Sequence, residues 1–449
     1  MDGVGTCPAC GAAIEQIDGW TPWCPACGWN VDPHPPVVRS TWGWRLVQKN
    51  VDAALRREHG RLMRSPDRVL SRDWLSAVAI VVALAVHLVT VLIAAAAVAV
   101  WFTGLALFVR AVLSALLAMT LLAVQPVDRR RRRRRVPSGW TREQAPTCFA
   151  LLDQITAAIG AKAPQLLVPT AKTSAFSVTI GGTTCLAIGV PLWESLDDGG
   201  RIALLAHELG HQVNRDIGRH WWVRSALVSA RNWRVLCWPG QDGVEQAMDD
   251  LQGVVLVLPD AGRRFGSGRI SQVGQFVVFL PFYLLSITVG TVLSVGVSRA
   301  AQRAEYRADR MALGLAGHSG LADLFDSLDL AGYVREGMRS GAMRRDPDII
   351  RAIPDRVAQV PASERQRLRR RASARLTRVD GGHPPTAFRA EYAEKVTVTG
   401  GSVVDQHLAG PATEELLRAA PELERGIRTA LGVTDHGSGR SPVRSIPPA

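Results

Sequence analysis

His207 and His211 stand four residues apart, with Glu208 beside the first, in the stretch His207-Glu208-Leu209-Gly210-His211. On a helix, positions four apart share a face, so both imidazoles can bind one Zn²⁺ while Glu208 reaches a water on the metal. The competing reading is a core helix with two satisfied histidines. Ile202, Leu204, Leu205, Leu209 and Val213 give this segment a wide apolar face, and Ser195-Leu196-Asp197-Asp198 resembles a capping box ahead of it. Glu305-Tyr306-Arg307-Ala308-Asp309 tips the balance. On a second helix Glu305 and Asp309 again share a face. Glu305 could complete a two-His, one-Glu site with an open position, and Asp309 could accept a hydrogen bond from a ligand imidazole. Read alone, this segment is an ordinary charged helix; the two together are a stronger signal than either.

A second constellation lies near the start of the chain. Cys7-Pro8-Ala9-Cys10 and Cys24-Pro25-Ala26-Cys27 are two C-x-x-C knuckles thirteen residues apart, which suits a tetrahedral Cys₄ structural zinc in a ribbon over 1–38. Disulfides or a redox motif are the alternative, but no βαβ pattern surrounds either pair. No Lys or Arg precedes Arg39, whereas Asp2, Glu15, Asp18 and Asp32 are acidic, so no nucleic-acid partner is expected. Trp20, Trp23 and Trp29 then pack the ribbon or contact protein, and the sequence names no partner for it.

His207 to Asp216, read as H-E-L-G-H-Q-V-N-R-D, together with Ala304 to Ala312, resembles the membrane zinc endopeptidases of the HtpX-like and CAAX prenyl endopeptidase family. Ser174-Ala175-Phe176 is similar to that family's edge-strand motif, with serine where asparagine is usual, and His383-Pro384-Pro385 with Arg389 to its late H-P-P…R segment. The resemblance spans roughly 140–392. It implies a gluzincin-type domain in which His207, His211 and Glu305 hold a catalytic zinc and Glu208 acts as general base. It also places His383 in a loop near the site, where it stabilises the tetrahedral intermediate or covers the metal; alternatively His-Pro-Pro caps a loop. Asp216 either orients a ligand histidine or ends the helix. The strand-like stretches 175–180 and 185–190 flank Gly181-Gly182, so an exposed edge could take an extended peptide by strand addition.

These residues need elements to carry them, and the first is a membrane. Leu75 to Val124 is apolar and long enough for two helices of about twenty residues, turning at Trp101-Phe102-Thr103-Gly104. Arg110 can snorkel from near that turn, and His87 is expected to pack between helices. Arg129 to Arg135 follow directly, which places that end, and with it the ribbon, in the cytoplasm. Ile270 to Val297 is a third apolar stretch, interrupted by Pro281. Because His211 and Glu305 must meet, crossings between them must be even. The stretch therefore dips and returns around Pro281, lies buried against the hairpin, or pairs with a marginal span within 221–258.

The 449 residues and net charge of +13 accommodate a catalytic domain beside membrane elements. The arginine-rich stretch 365–375 is read as a basic helix on anionic lipid or a solvated face. The expected organisation is a ribbon (1–38), a juxtamembrane linker (39–73), a transmembrane hairpin (74–125) and a mostly helical α+β metallopeptidase domain (126–399) with a membrane-associated insert at 219–298. A C-terminal extension (400–449) is expected to be disordered from about 436. The expected function is a multi-pass membrane zinc endopeptidase acting on membrane or unfolded proteins, with one catalytic and one structural Zn²⁺. A narrow-specificity processing protease and an inactive membrane adaptor are the alternatives; intact Glu208, Glu305 and Asp309 argue against the adaptor.

Overall fold

The computed structural model describes residues 3–33, 42–71, 74–124, 136–213, 216–237, 269–374, 384–398 and 404–433. Arg129 to Arg135, His383 and the tail from 434 lie outside them, as does any second marginal span after Cys237.

The first unit is a hairpin of β1 (Gly3–Thr6) and β2 (Ala13–Gln16), paired antiparallel with Gly3 opposite Gln16. Its turn carries the first knuckle, and the Cys24 knuckle folds back through Gly28 N–H to Cys24 O. Cys7, Ile14 and Cys24, with Ala12 and Trp29 partly buried around them, form its small core. So small an apolar cluster does not hold a fold by itself.

Residues 39–73, expected as a linker, contain the helix α1 (Trp42–Arg64) followed by a 3₁₀ turn at Pro66–Leu70. α2 (Trp74–Ala99) and α3 (Leu107–Val124) form the expected apolar hairpin. Arg110 closes its turn, with Nε donating to Leu105 O (2.7 Å) and Nη1 to Trp101 O (3.3 Å).

The region that carries His207, His211 and Glu305 begins with α4 (Pro146–Ile159), whose N-terminal Thr147 and Cys148 N–H groups donate to the distant Glu415 carboxylate at 3.0 and 2.9 Å. A three-stranded sheet follows, in the order β3 (Leu166–Thr170), β5 (Thr183–Gly189), β4 (Ala175–Ile180). β3 runs parallel to β5 and β4 antiparallel, the β4–β5 turn being Gly181-Gly182 with both φ positive, as a tight hairpin turn requires. The central strand β5 is buried while β4 keeps one edge unpaired among the described residues.

After the short α5 (Val190–Glu194) come α6 (Asp198–Val213), α7 (Asp216–Cys237) and the long α8 (Arg269–Arg344), which is helical on both sides of Gly317, where the backbone leaves the helical region. α9 (Ile353–Ala358), α10 (Ala362–Ala374), α11 (Thr386–Lys395), α12 (Ala409–Leu417) and α13 (Ala420–Ala430) complete the chain. The main core joins α4, β5, α6, the middle of α8 and α11, with Phe149, Leu186, Leu205, Leu209, Tyr306 and Tyr392 at its centre. Leu416 of α12 belongs to it, and Trp193 Nε1 donates to Thr413 Oγ1 (2.8 Å), so part of the C-terminal stretch completes the domain.

Pro281 lies inside α8, and the helix continues through it, which overturns a dip and return there. The partner of 270–297 is α7. Val223 and Ala226 cluster with Leu293, and Cys237 with Tyr283 and Ile287, so α7 runs back along α8. Ala79, Ala83 and Val86 of α2 pack into the same seam, and Ser225 Oγ lies 3.2 Å from His87 Nε2, which gives that histidine an interhelical partner. Two helices, spanning Pro66–Phe102 and Leu280–Arg344, contain stretches long and apolar enough to cross a membrane, and α3 is a shorter apolar helix. Val81, Leu84, Leu88 and Leu92 of α2 and Phe108, Leu116 and Met119 of α3 are exposed apolar side chains.

The basic helix α10 faces protein rather than only solvent. Arg367 pairs with Glu364 and donates to Val31 O (2.9 Å), Arg370 to Pro25 O (3.3 Å), and Arg369 pairs with Asp326. Trp23 Nε1 donates to Ser363 O (3.1 Å) and Trp20 meets the Tyr333 ring at 5.3 Å. α10 is thus the seat of the Cys-rich hairpin.

Candidate active site

α6 starts where Asp197 Oδ1 accepts the Gly200 N–H (2.6 Å), so Asp197 is the cap; Ser195 Oγ, expected in that role, donates to Leu192 O instead. Ten of the sixteen α6 residues are buried, His207 and Glu208 among them, because α6 lies between the sheet and α8. The close approach depends on Gly210: a Cβ there would stand 3.2 Å from Met311 Sδ and 3.3 Å from Ala308 Cα. That approach lets α8 deliver Glu305 to the two histidines.

His207 Nε2 and His211 Nε2 lie 3.3 Å apart, His207 Nε2 and Glu305 Oε2 3.4 Å, and His211 Nε2 and Glu305 Oε1 3.3 Å. A zinc-sized ion with bonds of about 2.0–2.1 Å sets edges of about 3.3 Å between tetrahedral ligands, so these residues fit a metal whose fourth position is open. The three side chains form one of two groups among the described residues able to hold a metal ion.

Behind them lies a buried layer. His207 Nδ1 is 3.0 Å from Asp309 Oδ1, and Arg389 grips the same carboxylate with Nη2 to Oδ1 (2.6 Å) and Nε to Oδ2 (2.9 Å). Arg389 Nη1 also reaches Glu305 Oε2 at 3.5 Å, and the guanidinium lies over the Phe325 ring. Arg389 Nη2 stands 3.2 Å from His207 Nδ1 as well, but the carboxylate needs a donor from that nitrogen. Nδ1 therefore carries the proton, and Nε2 presents its lone pair toward Glu305 and His211. Burial works to raise the Asp309 pKa, yet the Arg389 charge and hydrogen bonds hold it below the usual carboxylate range. Burial also works to lower the Arg389 pKa, but Asp309, Glu305 and Glu208 hold it above its ordinary value, so it stays charged.

Of the candidate residues, Ser174, Ala175 and Phe176 lie at the start of the edge strand β4, Ser174 and Phe176 being exposed. β4 runs beside α6, where Gln212 Nε2 donates to Ser177 Oγ (2.7 Å), so the free edge borders the helix of the two histidines. Asp216 is the first residue of α7, its side chain outside the described residues, as is all of His383. Arg389 emerged in the sequence only as part of a motif, without a role. Three carboxylates around two histidines were the available signal that a cation had to be near.

The second metal-capable group is Cys7, Cys10, Cys24 and Cys27. Cys7 and Cys27 Sγ are 3.7 Å apart, Cys10 and Cys24 Sγ 3.6 Å, close to the edges of about 3.8 Å that Zn–S bonds of about 2.3 Å imply and far from a disulfide. All are free thiols. The Cys27 N–H, against burial and aided by the Ala26 N–H, brings Cys24 down to about 7, so a thiolate forms readily.

The family model of peptidase family M48 matches residues 148–397, over half of the chain and inclusive of His207, His211, Glu305, Asp309 and Arg389. No curated protein and no solved structure matches the chain at a significant level.

Proposed function

Because the chain belongs to peptidase family M48, and so is a metallopeptidase, we propose that it is an integral membrane zinc endopeptidase that cleaves unfolded or membrane proteins. The observation that carries this reading is the triangle of His207, His211 and Glu305 ligand atoms with edges of 3.3 to 3.4 Å. When bound there, zinc would polarise the scissile carbonyl and make water acidic enough to lose a proton near neutral pH.

The rest of the chemistry belongs to side chains. Glu208, beside His207 on α6, takes the proton of the attacking water and passes it to the amine nitrogen as the peptide C–N bond breaks. Asp309 fixes the His207 tautomer, and Arg389 compensates the buried charges of Asp309 and Glu305. The free edge of β4 pairs with an extended substrate through backbone groups, with Ser174, Ala175 and Phe176 along it; pairing of this kind favours unfolded chains over one defined sequence. His383 is assigned, on the family resemblance, to stabilising the tetrahedral intermediate or covering the metal, and Asp216, just after α6, to orienting a ligand histidine.

The exposed apolar side chains of α2 and α3 support a bilayer around the hairpin, with α7 and the start of α8 as the even pair beneath the site. Arg129 to Arg135 favour a cytoplasmic site and ribbon. The Cys₄ cluster is assigned a structural zinc.

Detergent-purified protein and its Glu208→Gln variant are to be assayed on an unfolded model substrate, with zinc per chain measured in both. The expected result is two zincs in each and a fall in kcat of about 10²- to 10⁴-fold in the variant. A single zinc that disappears when Cys7 to Cys27 is deleted would remove the catalytic metal site.

A further inference from the structure

The family match begins at Cys148, so α1 lies outside it. We propose that His59 of α1 is a positioning residue for the peptidase site, tying the back of α8 to the back of α11 so that Glu305, Asp309 and Arg389 meet in one geometry. The proposal rests on the peptidase reading above.

His59 is 8 % exposed and touches both helices at once. Its ring lies flat on Phe388, with centroids 4.1 Å apart and an angle of 5°. Nε2 is 2.9 Å from Glu391 Oε2, and Nδ1 is 3.0 Å from Tyr306 Oη. Phe388 immediately precedes Arg389 on α11, Glu391 lies two residues beyond it, and Tyr306 follows Glu305 on α8. The imidazole is therefore joined to the chain on either side of Arg389 and to the neighbour of the carboxylate ligand.

The hydrogen bonds run as a chain through both ring nitrogens. Gln302 Nε2 donates to Tyr306 Oη (3.3 Å), the Tyr306 hydroxyl is hydrogen-bonded to His59 Nδ1, and His59 Nε2–H donates to the Glu391 carboxylate. The imidazole stacks on Phe388 while bonding Tyr306 on one side and Glu391 on the other. Apolar contact between Tyr306 and Tyr392, at 4.6 Å, joins the same two helices but sets no angle between them as strictly.

α1 is itself anchored for this task. Glu58, adjacent to His59, accepts from Arg299 Nη2 (2.6 Å) and Arg303 Nη1 (3.1 Å), six and two residues before Glu305 on α8. Arg303 also donates to Ser71 O (2.7 Å), which fixes the turn after α1. A stretch with the composition of a linker thus serves as a brace.

The test uses the full chain as parent, His59→Phe and His59→Gln. Phe keeps the stacking on Phe388 and loses both hydrogen bonds, whereas Gln keeps a donor for Glu391. Three quantities are read: kcat and KM on an unfolded substrate, zinc release to a competing chelator, and thermal unfolding. Groups supporting a metal ligand shift affinity or activity by about 10- to 100-fold, and His59 acts one layer further out. Expected for His59→Phe is a kcat about tenfold lower with KM within about twofold, and catalytic zinc held about tenfold more weakly, with part of both losses recovered in His59→Gln. A folded, zinc-loaded His59→Phe with parental kcat and zinc affinity would overturn the proposal, even if it melted earlier. Should His59→Phe fail to fold, His59→Gln is read by the same criteria. A parent without peptidase activity would instead sink the reading it rests on, and zinc affinity would still decide the role of His59.

Discussion

The two metal-capable sites differ in how each is held. His207 and Glu305 are each 3 % exposed, stand 98 residues apart on two different helices, and are backed by Asp309 and Arg389. The four cysteines come from 21 consecutive residues, Cys10 and Cys27 are exposed, and little apolar core surrounds them. A site with an open position has to be shaped by its fold before the metal arrives, since a missing ligand leaves geometry undetermined. A closed Cys₄ site needs no such support, because its four bonds can themselves organise the chain. The core around α6 and α8 should therefore survive metal removal, and the ribbon should not.

The sharpest way to break this comparison is to remove the cation built into the peptidase core. Arg389→Ala leaves Asp309 and Glu305 buried without their guanidinium. The metal-free protein is expected to lose about 3–5 kcal/mol of stability, with part recovered on zinc binding. Urea unfolding with and without zinc measures this; a metal-free variant as stable as the parent would show that the fold does not prearrange the site.

A smaller effect is expected at the other site. Cys10→Ser should lower zinc by one per chain and free the hairpin from Ser363 and Tyr333, while kcat stays within about threefold, as for a locally unfolding segment. Metal analysis together with proteolysis near residue 30 checks it. A loss of activity approaching that of Glu208→Gln would merge the two sites into one functional unit.

The smallest effect concerns the start of α6. Asp323 Oδ2 accepts the Asp197 N–H (2.9 Å), and burial, with the Asp197 carboxylate beside it, pushes Asp323 up to about 6. Below the unfolded pKa near 4 both states are protonated and the group is neutral in its effect. As pH rises to about 6 the unfolded chain ionises first, so stability falls, and the penalty is full above that. Asp323→Asn keeps the acceptor and removes the charge. It should stabilise the protein at pH 7 to 8 by on the order of 1 kcal/mol, discounted for partial exposure, and leave it unchanged near pH 3. Denaturant midpoints across that range decide the matter; a gain at pH 3 would remove ionisation as its cause.

Chemistry with a local signature was legible in the sequence. Spacing of four brings His207 to His211 and Glu305 to Asp309 on helices, and C-x-x-C spacing gathers the cysteines, because both are set by geometry within a turn or a knuckle. What escaped was set by distant partners. Arg389 sits in Thr386–Lys395, whose local pattern says nothing of a buried carboxylate eighty residues upstream. α1 is charged enough to read as a linker, yet Glu58 and His59 face inward beside Val51 and Leu62. The arginines of α10 resembled a lipid-facing or solvated surface, and two of their partners, Val31 and Pro25, belong to the Cys-rich unit more than 300 residues earlier. The continuity of α8 through Pro281 was equally hidden, since only packing against α7 and α2 shows why the chain does not turn there.

That continuity makes α8 a lever. Leu280, in the apolar bundle, and Glu305, at the site, lie on one unbroken rod about 25 residues long, roughly 38 Å at 1.5 Å per residue. Tilting such a rod by about 3° about one end moves the other by about 2 Å, more than half the spacing between the ligand atoms. A small tilt at the apolar end of α8 is therefore enough to carry the Glu305 carboxylate out of reach of the two histidines.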